Sequence, residues 1–106
     1  LICLGDIVGY GAEPNACVDW VRRNVDFTLA GNHDLAVVDK TSYSYFNKYA
    51  LEACVWTQKM LTVENRKFLV HETSVPGEQR VNTELYQLSK KFRLKFSRPP
   101  NLKFVK

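Results

Sequence analysis

Four side chains in this sequence could act together as a reaction centre. Asp6 lies in "LGDIVGYG", and Asn32, His33 and Asp34 follow one another in "LAGNHD". Alone, an Asp after a glycine reads as a turn residue, and Asn-His-Asp reads as a satisfied loop. Together they offer a carboxylate, an amide oxygen and an imidazole. Carboxylate and amide oxygens suit hard divalent cations, whereas imidazole suits transition metals or proton transfer. Such a set can bind a metal and work on a phosphate ester.

Chemistry of this kind needs Asp6 and Asn32, 26 positions apart, brought to one place. Residues 1–4 (LICL) are an apolar run ended by Gly5-Asp6, the pattern of a fully buried strand in a parallel sheet. A glycine-punctuated loop follows. Pro14 suits the first turn of a helix, where its missing N–H costs nothing. Cys17, Val18, Trp20 and Val21 then recur at helical spacing up to Arg22, Arg23 and Asn24. Residues 27–30 (FTLA) predict a second strand, ended by the loop of Gly31, Asn32, His33 and Asp34. This is a βαβ unit, whose strands should run parallel through a right-handed crossover. Functional groups of parallel sheets gather outside the carboxyl ends of the strands. Asp6 and Asn32–His33 occupy those two ends.

Beyond the unit, residues 35–38 form a short apolar piece and residues 41–45 a polar, tyrosine-rich connection. The spacing predicts a helix over about 46–61 and a shorter one over 63–69. Thr62 is its N-cap, and Glu64 is favourably placed in its first turn. Pro76-Gly77 marks a turn. Periodicity is weak from there, although Phe92, Leu94 and Phe96 alternating with Arg93 and Lys95 allow a strand before Pro99-Pro100. There is no internal repeat.

The 106 residues make one domain at most, with 45% hydrophobic and 25% charged residues, as in an ordinary globular chain. No apolar run approaches the roughly 18 residues of a membrane span, and no secretory leader pattern is present. Three cysteines without C-x-x-C spacing, Cys3, Cys17 and Cys54, read as small buried apolar groups in a reducing, cytoplasmic setting rather than as a disulfide or zinc framework. The net charge of +4 is unevenly spread: residues 1–70 carry a net −1 and residues 71–106 a net +5. The chain therefore divides into an acidic-to-neutral piece, 1–70, and a basic segment, 71–106.

"LGDIVGYGAEPNACVDWVR" followed by "LAGNHDLAVV" resembles the calcineurin-like metallophosphoesterases, especially their small, mostly prokaryotic branch with "GDIVGYGPEPN". "WTQKMLTVENRKFL" continues the resemblance, which covers about residues 1–69. The fold it implies is α/β: a sandwich of two sheets flanked by helices, here a partial one with the βαβ core. The activity it implies is hydrolysis of phosphate mono- or diesters by two divalent metal ions, Mn, Fe, Zn, Ni or Co. Asp6 would be the bridging ligand, and Asn32 would bind the second ion through its side-chain oxygen. His33 would stand beside the scissile phosphate, stabilising charge or protonating the leaving group. Asp34 closes the motif, and we expect it to orient His33.

The resemblance also marks departures. The D-x-H motif that normally precedes "GD", and the downstream histidine and G-H-x-H, have no counterpart. Residues 1–70 therefore read as an internal piece of such an enzyme, incomplete as a catalyst, and residues 71–106, which do not resemble the family, as a divergent basic C-terminal segment not native to it. His71 follows "ENRKFL" too soon to match the family's downstream histidine, and a loop or surface role is expected for it. Gly9 and Tyr10 stand where the protein-phosphatase type "GDxxDRG" has its second Asp and its Arg. This loop thus lacks a carboxylate to hold His33 and an arginine to hold phosphate. A non-catalytic remnant of the same fold is the alternative. A further alternative uses Lys90, Lys91, Arg93, Lys95 and Arg98, interleaved with Phe92 and Phe96, to bind nucleic acid through phosphate contacts and stacking.

Overall fold

The structure, a computed structural model, describes residues 1–91, 101 and 103. It is of mixed α/β type, and the chain divides into two compact units, Leu1–Ser74 and Val75–Lys106.

In the first unit the elements run β1 (Ile2–Cys3), α1 (Pro14–Asn24), β2 (Phe27–Thr28), α2 (Asn32–Val37), α3 (Lys48–Met60) and α4 (Val63–Glu72). The two strands pair in parallel, Ile2 opposite Phe27 and Cys3 opposite Thr28. The Leu29 N–H continues the ladder to the Cys3 carbonyl at 2.9 Å. The βαβ unit expected from the sequence is therefore present, but its strands are two residues long rather than four. The first is not a buried strand either: Leu1, Ile2 and Leu4 are all exposed, Leu4 at 80%, whereas Thr28 of β2 is buried. A strand buried on both faces needs a layer on each, and among the described residues this sheet has only two strands.

The core lies among the helices. Val8, Val18, Ala36, Val37, Val38, Cys54 and Leu69 form one buried cluster, with Ile7, Tyr43, Phe46, Leu61 and Phe68 packed against it. Pro14 opens α1, and Pro14, Val18 and Val21 face inward, whereas Cys17 and Trp20 are exposed. Of the three cysteines expected to be buried only Cys54 is; Cys3 is half-buried and all three are free thiols. Burial pushes the Cys54 thiol above its ordinary pKa.

Side-chain caps set the boundaries of α3 and α4. Asn47 Oδ1 accepts from the Ala50 N–H at 2.9 Å, and Thr62 Oγ1 from the Asn65 N–H at 3.2 Å. The turn between these helices is tied to α1 by Asn15. Its Nδ2 donates to the Met60 carbonyl at 2.7 Å, and its Oδ1 accepts from the Thr62 N–H and from Asn65 Nδ2, both at 3.0 Å. Arg22 Nη1 completes the set by donating to Asn65 Oδ1 at 3.0 Å. These bonds hold the crossover helix against α4, and so steady the loop that leads from β1 into α1.

The second unit contains α5, Gly77–Lys91. The turn expected at Pro76-Gly77 is the entrance to this helix, since the Arg80 N–H donates to the Pro76 carbonyl at 3.0 Å. Weak periodicity hid fifteen helical residues here, because Val81, Leu85 and Leu88 sit at helical spacing among polar neighbours. Lys90 and Lys91 fall in its last turn, and Lys90 Nζ lies 4.6 Å from the centre of the Tyr86 ring. The strand expected around Phe92–Phe96, with Arg93, Lys95 and Arg98, lies outside the described residues. No helix among the described residues is long and apolar enough to cross a membrane.

Candidate active site

Two short loops leave the ends of β1 and β2 and meet backbone to backbone. Gly5 has φ +101°, and a Cβ there would stand 2.5 Å from the Gly31 nitrogen. A Cβ on Gly31 would overlap Asp6 Oδ1. Glycine at both positions is what lets the loops close to this distance. The turn also forces Asp6 itself to φ +53°, a region that an aspartate tolerates better than most residues.

The close approach delivers the Asp6 carboxylate to the start of α2. Asp6 Oδ1 accepts the His33 backbone N–H at 3.1 Å. The Asp6 side chain keeps 41% of its surface exposed, so it also faces solvent. Asn32, the first residue of α2, is exposed too. Thus Asp6 sits against the first turn of α2, and both oxygen-bearing side chains expected to ligate a metal are accessible.

The sequence placed Asn32, His33 and Asp34 in a loop after β2. They are instead the first turn of α2, with Gly31 as N-cap. Asp34 accounts for this. Its Oδ2 accepts from the Gly31 N–H at 2.9 Å, closing the helix start. Its Oδ1 accepts from the Val8 N–H at 3.2 Å, reaching 26 residues back into the other loop. These hydrogen bonds go to the backbones of the two loops, whereas Asp34 was expected to orient the His33 ring. Almost wholly buried, the Asp34 carboxyl has a raised pKa. Burial is the main cause, and the Asp6 charge adds to it, while the Gly31 and Val8 amides oppose it.

His33 is buried, its side chain 4% exposed. Nδ1 lies 3.5 Å from Asp6 Oδ1, too far for a good hydrogen bond, and has no hydrogen-bond partner among the described residues. Two aromatic rings meet the imidazole in T-shaped contacts: Tyr10 at 4.2 Å between ring centres and Phe46 at 4.9 Å. These two contacts were not foreseen from the sequence. Tyr10 was noted only as a departure from the protein-phosphatase pattern, and Phe46 only as a helix start.

His71 is elsewhere on the fold. It lies in the last turn of α4, largely exposed, with Nδ1 3.3 Å from Glu72 Oε1. Among the described residues no group of three or more His, Cys, Asp or Glu side chains could hold a metal ion. Asp6 and Asn32 supply oxygen donors of the kind hard divalent cations take, but only part of a coordination shell. The donor chemistry of these two side chains fits a divalent cation.

A family model described as calcineurin-like phosphoesterase matches residues 1–104. The match extends past residue 69, where the motif resemblance stops, and through the basic segment. Among curated proteins, the chain is 52% identical over 69 residues to an uncharacterized protein of Methanocaldococcus jannaschii, MJ0912. That alignment covers 65% of this chain and 28% of the relative, so the chain spans well under a third of the relative's length. No solved structure matches at a significant level.

Proposed function

The chain belongs to the calcineurin-like phosphoesterase family, and from that premise we propose that it carries part of a metal-dependent active site hydrolysing phosphate mono- or diesters. One observation supports this reading above the others: Asp6 and the Asn32–His33 turn, from two separate loops, are joined by the bond from the His33 N–H to Asp6 Oδ1. In this reading the Asp6 carboxylate and the Asn32 amide oxygen are ligands to a pair of divalent cations, Mn, Fe, Zn, Ni or Co. Asp6 and Asn32 are then two members of the ligand set.

When bound, such ions supply Lewis acidity toward the phosphate and a water that is nucleophilic at neutral pH. The chain's own residues do the rest. Asp6 and Asn32 set where the ester is held. The His33 imidazole stands at the phosphate, donating a hydrogen bond or a proton to the departing oxygen. Asp34 keeps the two loops in register by holding the Val8 and Gly31 amides. The groups named in this reading all lie within residues 1–70. Free thiols at Cys3, Cys17 and Cys54 suit a reducing, cytoplasmic compartment.

The test is manganese-dependent hydrolysis of bis(p-nitrophenyl) phosphate by the native protein, with metal content measured alongside. Asp6→Asn should lose both metal and activity. His33→Gln should keep the metal and lose activity by about 100-fold or more. Undiminished hydrolysis in both variants would overturn the reading.

A further inference from the structure

A buried imidazole is usually oriented by a hydrogen bond to one of its ring nitrogens. At His33 that device is missing from Nδ1, which is buried and has no hydrogen-bond partner among the described residues. The nearest acid, Asp6, spends Oδ1 on the His33 backbone N–H instead. Something else must choose the rotamer of this ring.

Its surroundings show what does. On one side Gly9, at φ +110°, lies so near that a Cβ there would stand 2.8 Å from His33 Cβ and 2.9 Å from Cγ. Next along the chain, Tyr10 meets the imidazole at an interplanar angle of 82°. Phe46 meets it at 65°. Edge-to-face contact is the favoured geometry for such rings, because the positive edge of one faces the negative face of the other.

Burial of Tyr10 cannot explain its place, since it remains 79% exposed while touching a buried ring. Phe46 is held from behind. Its N–H donates to the Tyr43 carbonyl at 2.9 Å. The Tyr43 hydroxyl donates to the Ala36 carbonyl at 2.8 Å and accepts from Gln58 Nε2 at 2.9 Å. The bracket is thus anchored to both α2 and α3.

We infer that Tyr10 and Phe46 are positioning residues that fix the His33 imidazole through their two T-shaped ring contacts, a task that a hydrogen bond to Nδ1 would otherwise perform. The consequence for hydrolysis rests on the functional reading above; the ring geometry does not. Tyr10 is the better probe, because its exposure lets it be replaced without opening the core.

Two measurements test this. In the 106-residue chain, the His33 Hα–Hβ three-bond couplings are read by NMR, with His71 as internal reference and His33→Gln for assignment. Tyr10→Ala should move the His33 couplings from those of a single rotamer to averaged values and leave those of His71 in place, whereas Tyr10→Phe should preserve both. Phe46→Leu, which keeps apolar bulk, should also average the His33 couplings. In the native, metal-loaded protein, Tyr10→Ala should lower kcat about tenfold at unchanged KM, and Tyr10→Phe should restore it. If Tyr10→Ala leaves both the His33 couplings and kcat unchanged while hydrolysis still requires His33, the positioning role is wrong and the phosphoesterase reading stands. If hydrolysis does not require His33 but its couplings still average, the positioning is real and the functional reading falls.

Discussion

The backbone N–H of His33 donates to Asp6 Oδ1 at 3.1 Å, joining residues 27 positions apart. This bond crosses between the ends of two neighbouring parallel strands. It makes the carboxylate part of the start of α2, so that Asp6 and the first turn of a helix form one unit. The geometry depends on there being no side chain at Gly31.

Gly31→Ala should therefore damage the site through sterics alone. Gly31 has φ −85°, which alanine adopts freely, so no backbone strain arises. The new Cβ would instead overlap the Asp6 carboxylate and displace it. The expected cost is about 1–3 kcal/mol in denaturant unfolding. Gly11→Ala, where a Cβ would meet nothing within 4 Å, should stay within about 0.5 kcal/mol of the parent chain.

Metal binding should separate Asp6 from its structural role. Asp6→Asn keeps an oxygen to accept the His33 N–H, so folding should survive. Titration with Mn²⁺, followed by electron paramagnetic resonance, should show weak binding in the parent chain and none in the variant. The 106-residue chain alone should show little or no turnover of bis(p-nitrophenyl) phosphate, because Asp6 and Asn32 make only part of a ligand set. Robust turnover would contradict the partial site.

Asn65 should be the most sensitive polar residue outside the site. It is 1% exposed and ties α4 to α1 at two points, donating to Asn15 Oδ1 and accepting from Arg22. Asn65→Ala removes both bonds, and although Asn15 Oδ1 keeps the Thr62 N–H, the expected cost is about 1–2 kcal/mol. The loss should appear as a lower denaturant midpoint, with α1 and α4 amides exchanging faster with solvent.

Tyr43 should make stability fall at alkaline pH. Its hydroxyl is held above the usual tyrosine pKa, first by burial and then by the Asp39 charge beside it. The folded chain therefore keeps this proton at a pH where the unfolded chain, ionising near 10.0, has released it. Unfolding releases a proton in that window, so the Tyr43 contribution declines as pH rises above about 10. At pH 7, Tyr43→Phe should cost about 1 kcal/mol through its lost hydrogen bonds. The gap between the two proteins should narrow as pH climbs past 10, as read by urea unfolding.

Local rules made much of this architecture legible. Pro14 marked the start of α1, and Thr62 capped α4 as its position before Val63 implied. The apolar runs ending in Gly5-Asp6 and Gly31-Asn32 located two parallel strands and the side on which their loops meet. Other features escaped because their causes are distant in sequence. The helical state of Asn32–Val37 is stabilised by Asp34 reaching back to Gly31, a capping bond that competes with the loop reading of "GNHD". Helix α5 was hidden by polar residues between Val81, Leu85 and Leu88. Apolar composition alone made residues 1–4 look buried, because burial depends on what packs against a strand and not on the strand itself.

By itself, the sequence determined the chemical inventory and its order: a carboxylate after one strand, an amide and an imidazole after the next, and glycines where the chain must turn tightly. Motif spacing carried the family, since residue types and separations are local properties of the chain. Tertiary structure alone decided which groups touch. It spent Asp34 on the Val8 and Gly31 amides, set Asp6 against the His33 N–H, and bracketed the imidazole with Tyr10 and Phe46. Each of these contacts depends on how closely two loop backbones approach and on which helix stands behind them. Those distances are set by packing across residues far apart in the chain, and no single stretch of sequence encodes them.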